Sequence, residues 1–326
     1  MSCLKANRMN FTEKAIELAR IDLEDFSYKI TTSTEIKDLV DSIRKTGLIN
    51  PPILKEKGSK FIIISGFRRI FALKEIGFSH IESRIIDSRE KSLRCIELAV
   101  ADNASQRRLN PVEQSRALNC LSNILEDKLN LEKEALSLGL PWNSHFIKRI
   151  KKLSFLPEFI QQCMLNNTIT MTIALKLNDL EADAGTELAK LFNDLKLSSS
   201  KQREIITLVK EISIREDILF SDVLGSNIII DMLTDPDMDR TQKTGKIRSY
   251  LKERRFPSIT KANKEVEESI KKLNLGGGIK MTPPRDFEGE TFNLSFDFKS
   301  LSELKKQKKS LGRILQNFEL LKILSM

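Results

Sequence analysis

The apolar positions of this 326-residue chain follow the helical and strand periods in separate blocks. Between residues 32 and 109 the two periods alternate. "IKDLVDSIRKTG" carries Ile36, Leu39, Val40 and Ile43 at helical spacing and stops at Gly47, and Thr32 and Glu35 before it are spaced as a capping box. After the Asn-Pro-Pro breaker, "ILKEKG" and "KFIIIS" read as two short strands around a glycine-containing turn. A largely buried helix from Arg68 to Ile76 comes next, then a strand over "IESRIID" and a helix through "EKSLRCIELAVADNASQ". This block predicts a small mixed α/β domain.

From residue 110 to about 255 the period is helical. Asn110 and Pro111 open the block as an N-cap and a first-position proline. "EKEALSLGLPWNSHFIKRIKKLSFLPE" has the form of a helix, a tight turn at Gly139 to Pro141, and a second helix. In that second helix Phe146, Ile147, Ile150 and Leu153 share one face, which leaves Asn143, Ser144, Lys148, Arg149, Lys151 and Lys152 on the other. Residues 256–264 are polar and read as a linker. Beyond them come a helix over "KEVEESIKKLNL", a glycine run at 276–278 that reads as a flexible helix stop, and a strand in which Phe292, Leu294, Phe296 and Phe298 alternate with polar residues. A last helix covers "SLSELKKQKKSLGRILQNFELLKIL". One strand with one or two helices makes a poor core, so residues 265–326 are expected to complete themselves against a second copy as a homodimer. The fold class is α+β and mostly helical: an N-terminal arm over 1–29, the mixed domain over 30–109, a helix-turn-helix domain over 110–255, and a strand-helix dimerisation domain over 265–326.

Composition narrows the function classes. The net charge is +9 with a pI near 9.2, which favours a polyanionic partner such as nucleic acid. Cys3, Cys95, Cys120 and Cys163 form no Cys-x-x-Cys pair, and His80 and His145 lie apart from them, which argues against a zinc site and implies no disulfide framework. No stretch has the apolar length of a signal peptide or membrane span, so a cytoplasmic protein is expected.

The chemistry concentrates in "IIISGFRRIFALKEIG". A buried strand breaks at Gly66, and Arg68 and Arg69 fall in the first turn of a helix, whose end already presents unpaired N–H groups and about half a positive charge. Two cations there call for an anion, and a phosphate is the natural one. Pairing with Glu35 or Asp102 is the plainer alternative.

In this order, "GLINPP", "IIISGFRR", "DNASQRRLNPVEQ", the helix-turn-helix and "LSFLPEFIQQCMLNNTITMTIALKL" resemble the ParB-type chromosome and plasmid partition proteins over residues 30–180, and the tail is similar to that family's dimerisation domain. The resemblance implies a ParB/sulfiredoxin-like N-terminal domain that binds CTP with Mg²⁺, a clamp on double-stranded DNA, association with the nucleoid or a plasmid, and a ParA-type Walker ATPase as partner. By motif position Gly66, Arg68, Arg69 and Asn103 would hold the nucleotide, and Asp102 with Asn103 the metal. Turnover of CTP to CDP is left open, with no catalytic residue assigned. The sequence departs from the family pattern in carrying Phe67 where an acidic residue is usual, Gln106 where an arginine is usual, with Arg107 and Arg108 next to that position, and "FSYKITTS" where a glutamine-proline-arginine stretch is usual. These departures motivate a second reading, a sequence-specific regulator without nucleotide switching. A third, a ParB-like nuclease, lacks a carboxylate cluster beyond Asp102. A sulfiredoxin-like reductase needs a nucleophilic cysteine that "SGFRR" does not supply.

Overall fold

The computed structural model describes residues 10–181, 183–284 and 291–324. Contacts divide the chain into two compact units, residues 1–189 and 190–326. The first unit begins with strands β1 (Thr12–Glu17) and β2 (Ile21–Asp22), helix α1 (Lys37–Thr46), β3 (Ile53–Lys57), β4 (Lys60–Ser65), α2 (Phe67–Ile76), β5 (His80–Ile86) and α3 (Ser92–Gln106). These strands make one mixed sheet in the order β1-β5-β3-β4-β2. β3 and β4 form an antiparallel hairpin whose tight turn places Gly58 at φ 63°, β5 runs parallel to β3, and β2 parallel to β4.

β4 is buried from Phe61 to Ser65 because both of its faces are covered. Phe61 and Ile63 pack with Leu54, Ile81 and Ile85 against Val40, Ile43, Ile70 and Leu73 of α1 and α2. Ile62 and Ile64 face the other way by the period of two, toward α3, which packs on this strand. The sheet thus carries α2 and α3 on opposite faces.

Two expectations for this region are corrected. Residues 12–17 and 21–22, read as part of an arm, are sheet strands: β1 pairs antiparallel with β5, and burying only Ile16 it shows no alternation in sequence. The Thr32–Glu35 capping box does not form; α1 starts after Ile36 without a side-chain cap, because Thr32 bonds elsewhere.

The unit continues with α4 (Pro111–Ser122), α5 (Lys128–Ser137), α6 (Ser144–Ile150), α7 (Glu158–Leu165) and α8 (Met171–Asn178). α4 carries the expected Asn110 cap as a full capping box with Glu113. Gly139 adopts φ 68° in the turn between α5 and α6.

Helix α9 (Ala184–Leu195) crosses the unit boundary. The second unit then holds α10 (Ser199–Glu216), α11 (Phe220–Leu224), α12 (Asn227–Thr234), α13 (Arg240–Arg255), α14 (Pro257–Leu273), β6 (Ile279–Thr282), β7 (Asn293–Phe296), α15 (Leu301–Leu315) and α16 (Phe318–Leu324). α10 and α13 are joined by ion pairs of Glu204 with Arg248 and Lys252, Glu211 with Arg255, and Glu216 with Arg254. Residues 256–264, expected as a linker, belong mostly to α14, which starts on Pro257 and buries Val266, Ser269 and Leu273. β6 and β7 pair antiparallel, and Phe298, expected on the half-buried face, lies past the strand end and is 52% exposed. The last expected helix is two helices, α15 and α16.

The glycine run is not a flexible stop. α14 ends earlier, at Asn274 with φ 45°, and Gly278 stands at φ 83° where a Cβ would meet Asp297 O and Gln307 Nε2 at 2.5 Å each. Gly278 O also accepts from Asp297 N at 2.7 Å. Gly278→Ala should therefore destabilise by about 1–3 kcal/mol, whereas Gly277→Ala, which meets nothing within 4 Å, should stay within about 0.5 kcal/mol of wild type in urea unfolding.

Candidate functional site

The site begins where β4 ends. Gly66 leaves the strand at φ 96° and ψ 25° and opens α2. A Cβ there would lie 2.8 Å from Pro52 Cβ and 3.0 Å from its Cα, so the position requires glycine twice over. The first α2 bond runs from Ile70 N to Gly66 O at 3.0 Å, and no side chain caps the helix. The N–H groups of Phe67, Arg68 and Arg69 are therefore left to an outside acceptor.

The last turns of α3 bring Asp102 and Asn103 to the same place. With Ser65, Gly66, Arg68, Arg69 and Arg107 they line a cleft of about 280 Å³, which Ile30, Thr31 and Asn50 border. All five residues expected at a nucleotide and metal site thus share one cleft.

Their hydrogen bonds fix the geometry. Arg68 donates through Nε and Nη2 to the backbone carbonyl of Glu35 at 3.0 and 2.6 Å, not to its carboxylate. Arg69 donates to Asn50 O at 2.8 Å and Pro51 O at 3.1 Å, and pairs with Asp102 Oδ2 at 2.7 Å, so the plainer alternative holds for this residue. Ser65 Oγ donates to the same carboxylate oxygen. Of the three guanidiniums in the cleft lining, Arg69 is paired with Asp102 and Arg107 with Glu113, so Arg68 and the open helix end leave the cleft with a net positive balance.

Phe67, where the family pattern has an acid, points inward. It is 4% exposed in the sheet core, with its ring 6.1 Å from that of Phe26. The Gln106 side chain, the other departure, lies outside the described residues.

A magnesium ion has a partial donor set here. The Asp102 carboxylate bonds through Oδ2, and Asn103 donates Nδ2 to Ala99 O at 2.7 Å, which leaves Asp102 Oδ1 and the Asn103 amide oxygen without hydrogen bonds among the described residues. These are hard oxygen donors of the kind Mg²⁺ takes, and two of them make only part of a donor set. Among the described residues no group of three or more His, Cys, Asp or Glu could hold a metal alone.

Sequence reasoning missed Glu113 at this site and placed Arg107 only beside the position where the family pattern has an arginine. Glu113 is wholly buried, yet its carboxylate accepts from Thr32 N at 3.0 Å and Asn110 N at 3.1 Å, from the Thr32 hydroxyl at 3.3 Å, and from both Arg107 terminal nitrogens at 2.7 and 2.6 Å. Burial pushes its pKa up, but the Arg107 guanidinium and the two backbone N–H groups outweigh it and hold the carboxyl below the usual range. The capping-box position of Glu113 was legible; its reach to Thr32, 81 residues away, was not.

The expected DNA face is split. Asn143 caps α6 by accepting from His145 N and Phe146 N, and Ser144 Oγ donates to Glu132, so both polar groups serve the fold. Lys148 and Lys152 are exposed, Lys151 is half-buried, and Arg149 reaches Thr172 Oγ1 at 3.4 Å. Ile147, Ile150 and Leu153 are buried as expected, whereas Phe146, in the first turn of α6, is 38% exposed.

Residues 7–103 match the family model of the ParB N-terminal domain. A protein from Campylobacter jejuni named for chromosome partitioning, ParB, is 36% identical over 119 residues, covering 36% of this chain and 40% of that one. A nucleoid occlusion protein from Geobacillus is 31% identical over 137 residues, covering 42% and 47%. The chain thus spans under half the length of these relatives. A C-terminally truncated ParB from Caulobacter crescentus, solved with CTP-γ-S, overlaps 56% of this chain and 98% of its own at 21% identity and a TM-score of 0.26. Over these residues the chain is similar to ParB-type partition proteins.

Because the pKa of Glu113 is depressed by folding, its contribution to stability is present at neutral pH and is lost as pH falls through and below the usual carboxylate range. The melting temperature of the wild type should fall more steeply between about pH 6 and pH 3 than that of Glu113→Gln, as followed by circular dichroism.

Proposed function

We propose that this chain is a homodimeric, CTP-binding DNA clamp of a partition system. One observation carries the reading: Gly66, Arg68, Arg69, Asp102 and Asn103, drawn from two helices on opposite faces of the sheet, line one electropositive cleft. In it the triphosphate would meet the open end of α2 and the guanidiniums, and Asp102 and Asn103 would hold Mg²⁺. The ion would neutralise phosphate charge and orient the chain of phosphates.

The DNA contact is assigned to the exposed part of the helix-turn-helix, with Lys148, Lys152, Arg149 and Lys151 as phosphate contacts and Asn143 and Ser144 as the residues that set the helix. The homodimer is assigned to the tail. On α15, Leu301, Leu304, Leu311 and Leu315 recur at the spacing of a helix-packing stripe, and Leu301 and Leu315 are 68% and 66% exposed. An apolar groove of about 380 Å³ runs past Phe296 and this stripe. A second copy covers such a face by symmetry. A ParA-type ATPase is the partner in this reading, and the nucleoid or a plasmid its location. The regulator without nucleotide switching is favoured by one feature, the Arg69–Asp102 ion pair, which satisfies two cleft residues internally.

Calorimetric titration with CTP, ATP and GTP in Mg²⁺ separates the two. CTP-selective binding that Arg68→Ala weakens by about tenfold or more supports the clamp, and no binding of any nucleotide overturns it in favour of the regulator. For the DNA face, Lys148→Ala with Lys152→Ala should weaken binding and lower the slope of log K against log salt by about 0.9 per lost contact; an unchanged slope rejects this helix as the DNA contact.

A further inference from the structure

The N-terminal end of a recognition helix is the part that meets base edges. In α6 the two polar groups at that end are spent inside the fold: Asn143 Oδ1 accepts from His145 N at 3.0 Å and Phe146 N at 3.2 Å, and Ser144 Oγ donates to Glu132 Oε1. The exposed side chains left beside them are Trp142, His145 and Phe146. Trp142, the chain's single tryptophan, is 53% exposed. The end of this helix is aromatic where a base-reading helix is usually polar.

A structural role does not account for Trp142. It stands just before the cap Asn143, from where an apolar side chain staples onto the fourth residue of the helix, here Ile147. A tryptophan used only as a staple would be buried; Ile147 is, at 4% exposure, and Trp142 is not. Half an indole stands in water as apolar surface available for burial. Charge selects what covers it. Lys148 and Lys152 are exposed in and just after the same helix, so the surface that meets the indole is polyanionic. The major groove of DNA has phosphates along its walls and one apolar group on its floor, the thymine C5 methyl.

We propose that Trp142, with Phe146 four residues on, reads thymine methyl groups in the major groove. The inference rests on the DNA reading above and adds sequence specificity to it. Lysines on phosphates place the helix but carry no sequence information, and the aromatic end supplies it. Covering one methyl group corresponds to about fourfold in affinity.

The test uses a duplex that the full chain recovers from a random-sequence library, and the same duplex made with deoxyuridine for every thymine, which removes only the methyl groups. Wild type should bind the deoxyuridine duplex about fourfold or more weakly, and its tryptophan emission should shift to the blue on saturation with the thymine duplex. Trp142→Ala, folded by circular dichroism, should bind both duplexes as weakly as wild type binds the deoxyuridine one, with the salt slope unchanged because no phosphate contact is lost. Equal affinity of wild type for the two duplexes overturns the inference without any variant and leaves the DNA reading standing. Trp142→Ala that keeps the thymine preference also overturns it, and makes the indole a protein-docking surface. So does an equal loss on both duplexes, which marks a general disturbance of the helix. Recovery of no duplex by wild type overturns both readings.

Discussion

The first unit depends on a carboxylate that water cannot reach. A buried, ionised glutamate is unfavourable unless every oxygen is occupied, and breaking such an arrangement from one side costs about 3–5 kcal/mol because a charge is left alone. Glu113 meets that condition with donors from two separate segments: Thr32 before α1, and Arg107 and Asn110 in the connection between α3 and α4. The two segments are thereby held together. The border of the cleft formed by Ile30 and Thr31 gets its position from this constraint and from Arg116, which donates to Thr31 O at 2.5 Å.

α4 therefore has two engaged faces. Glu113 and Arg116 grip the segment that borders the cleft, while Ser115 and Asn119 donate to Lys151 O at 3.1 and 2.8 Å, just past the end of α6. Asn119 also donates to Ser154 Oγ at 2.9 Å. Polar contacts of this kind are directional, so a shift of α4 along its axis cannot preserve both sets. Cleft and helix-turn-helix are built on one rigid element.

What could be read in the sequence follows from how local its causes are. The β3–β4 hairpin, the α2 start at Gly66, the Asn110 cap and the α5–α6 turn at Gly139 each rest on residues within a few positions, and glycine, proline and apolar spacing announce them. The misses have distant causes. Thr32 looked like a cap because Glu35 lay three residues on, yet its partner is 81 residues away. β1 buries one residue of six and is a strand because β5 offers it an edge. α14 begins in a polar stretch, where Lys264 pairs with Glu253 and only later do Val266 and Leu273 face the core.

The same division separates the legible part of the site from the rest. Gly66, Arg68 and Arg69 form one continuous motif, and the strand-glycine-helix pattern alone placed them at a helix start. Asp102 and Asn103 came from a second motif, and the sheet topology, with α2 on one face and α3 on the other, brings the two ends together. The orientation of Arg107 carries no local signal, because it is set by a buried group beyond α3 that looks in sequence like an ordinary capping residue. A side chain held from behind by a buried partner has little conformational freedom left to lose. The cleft is thus preorganised from the helical side as much as from the sheet.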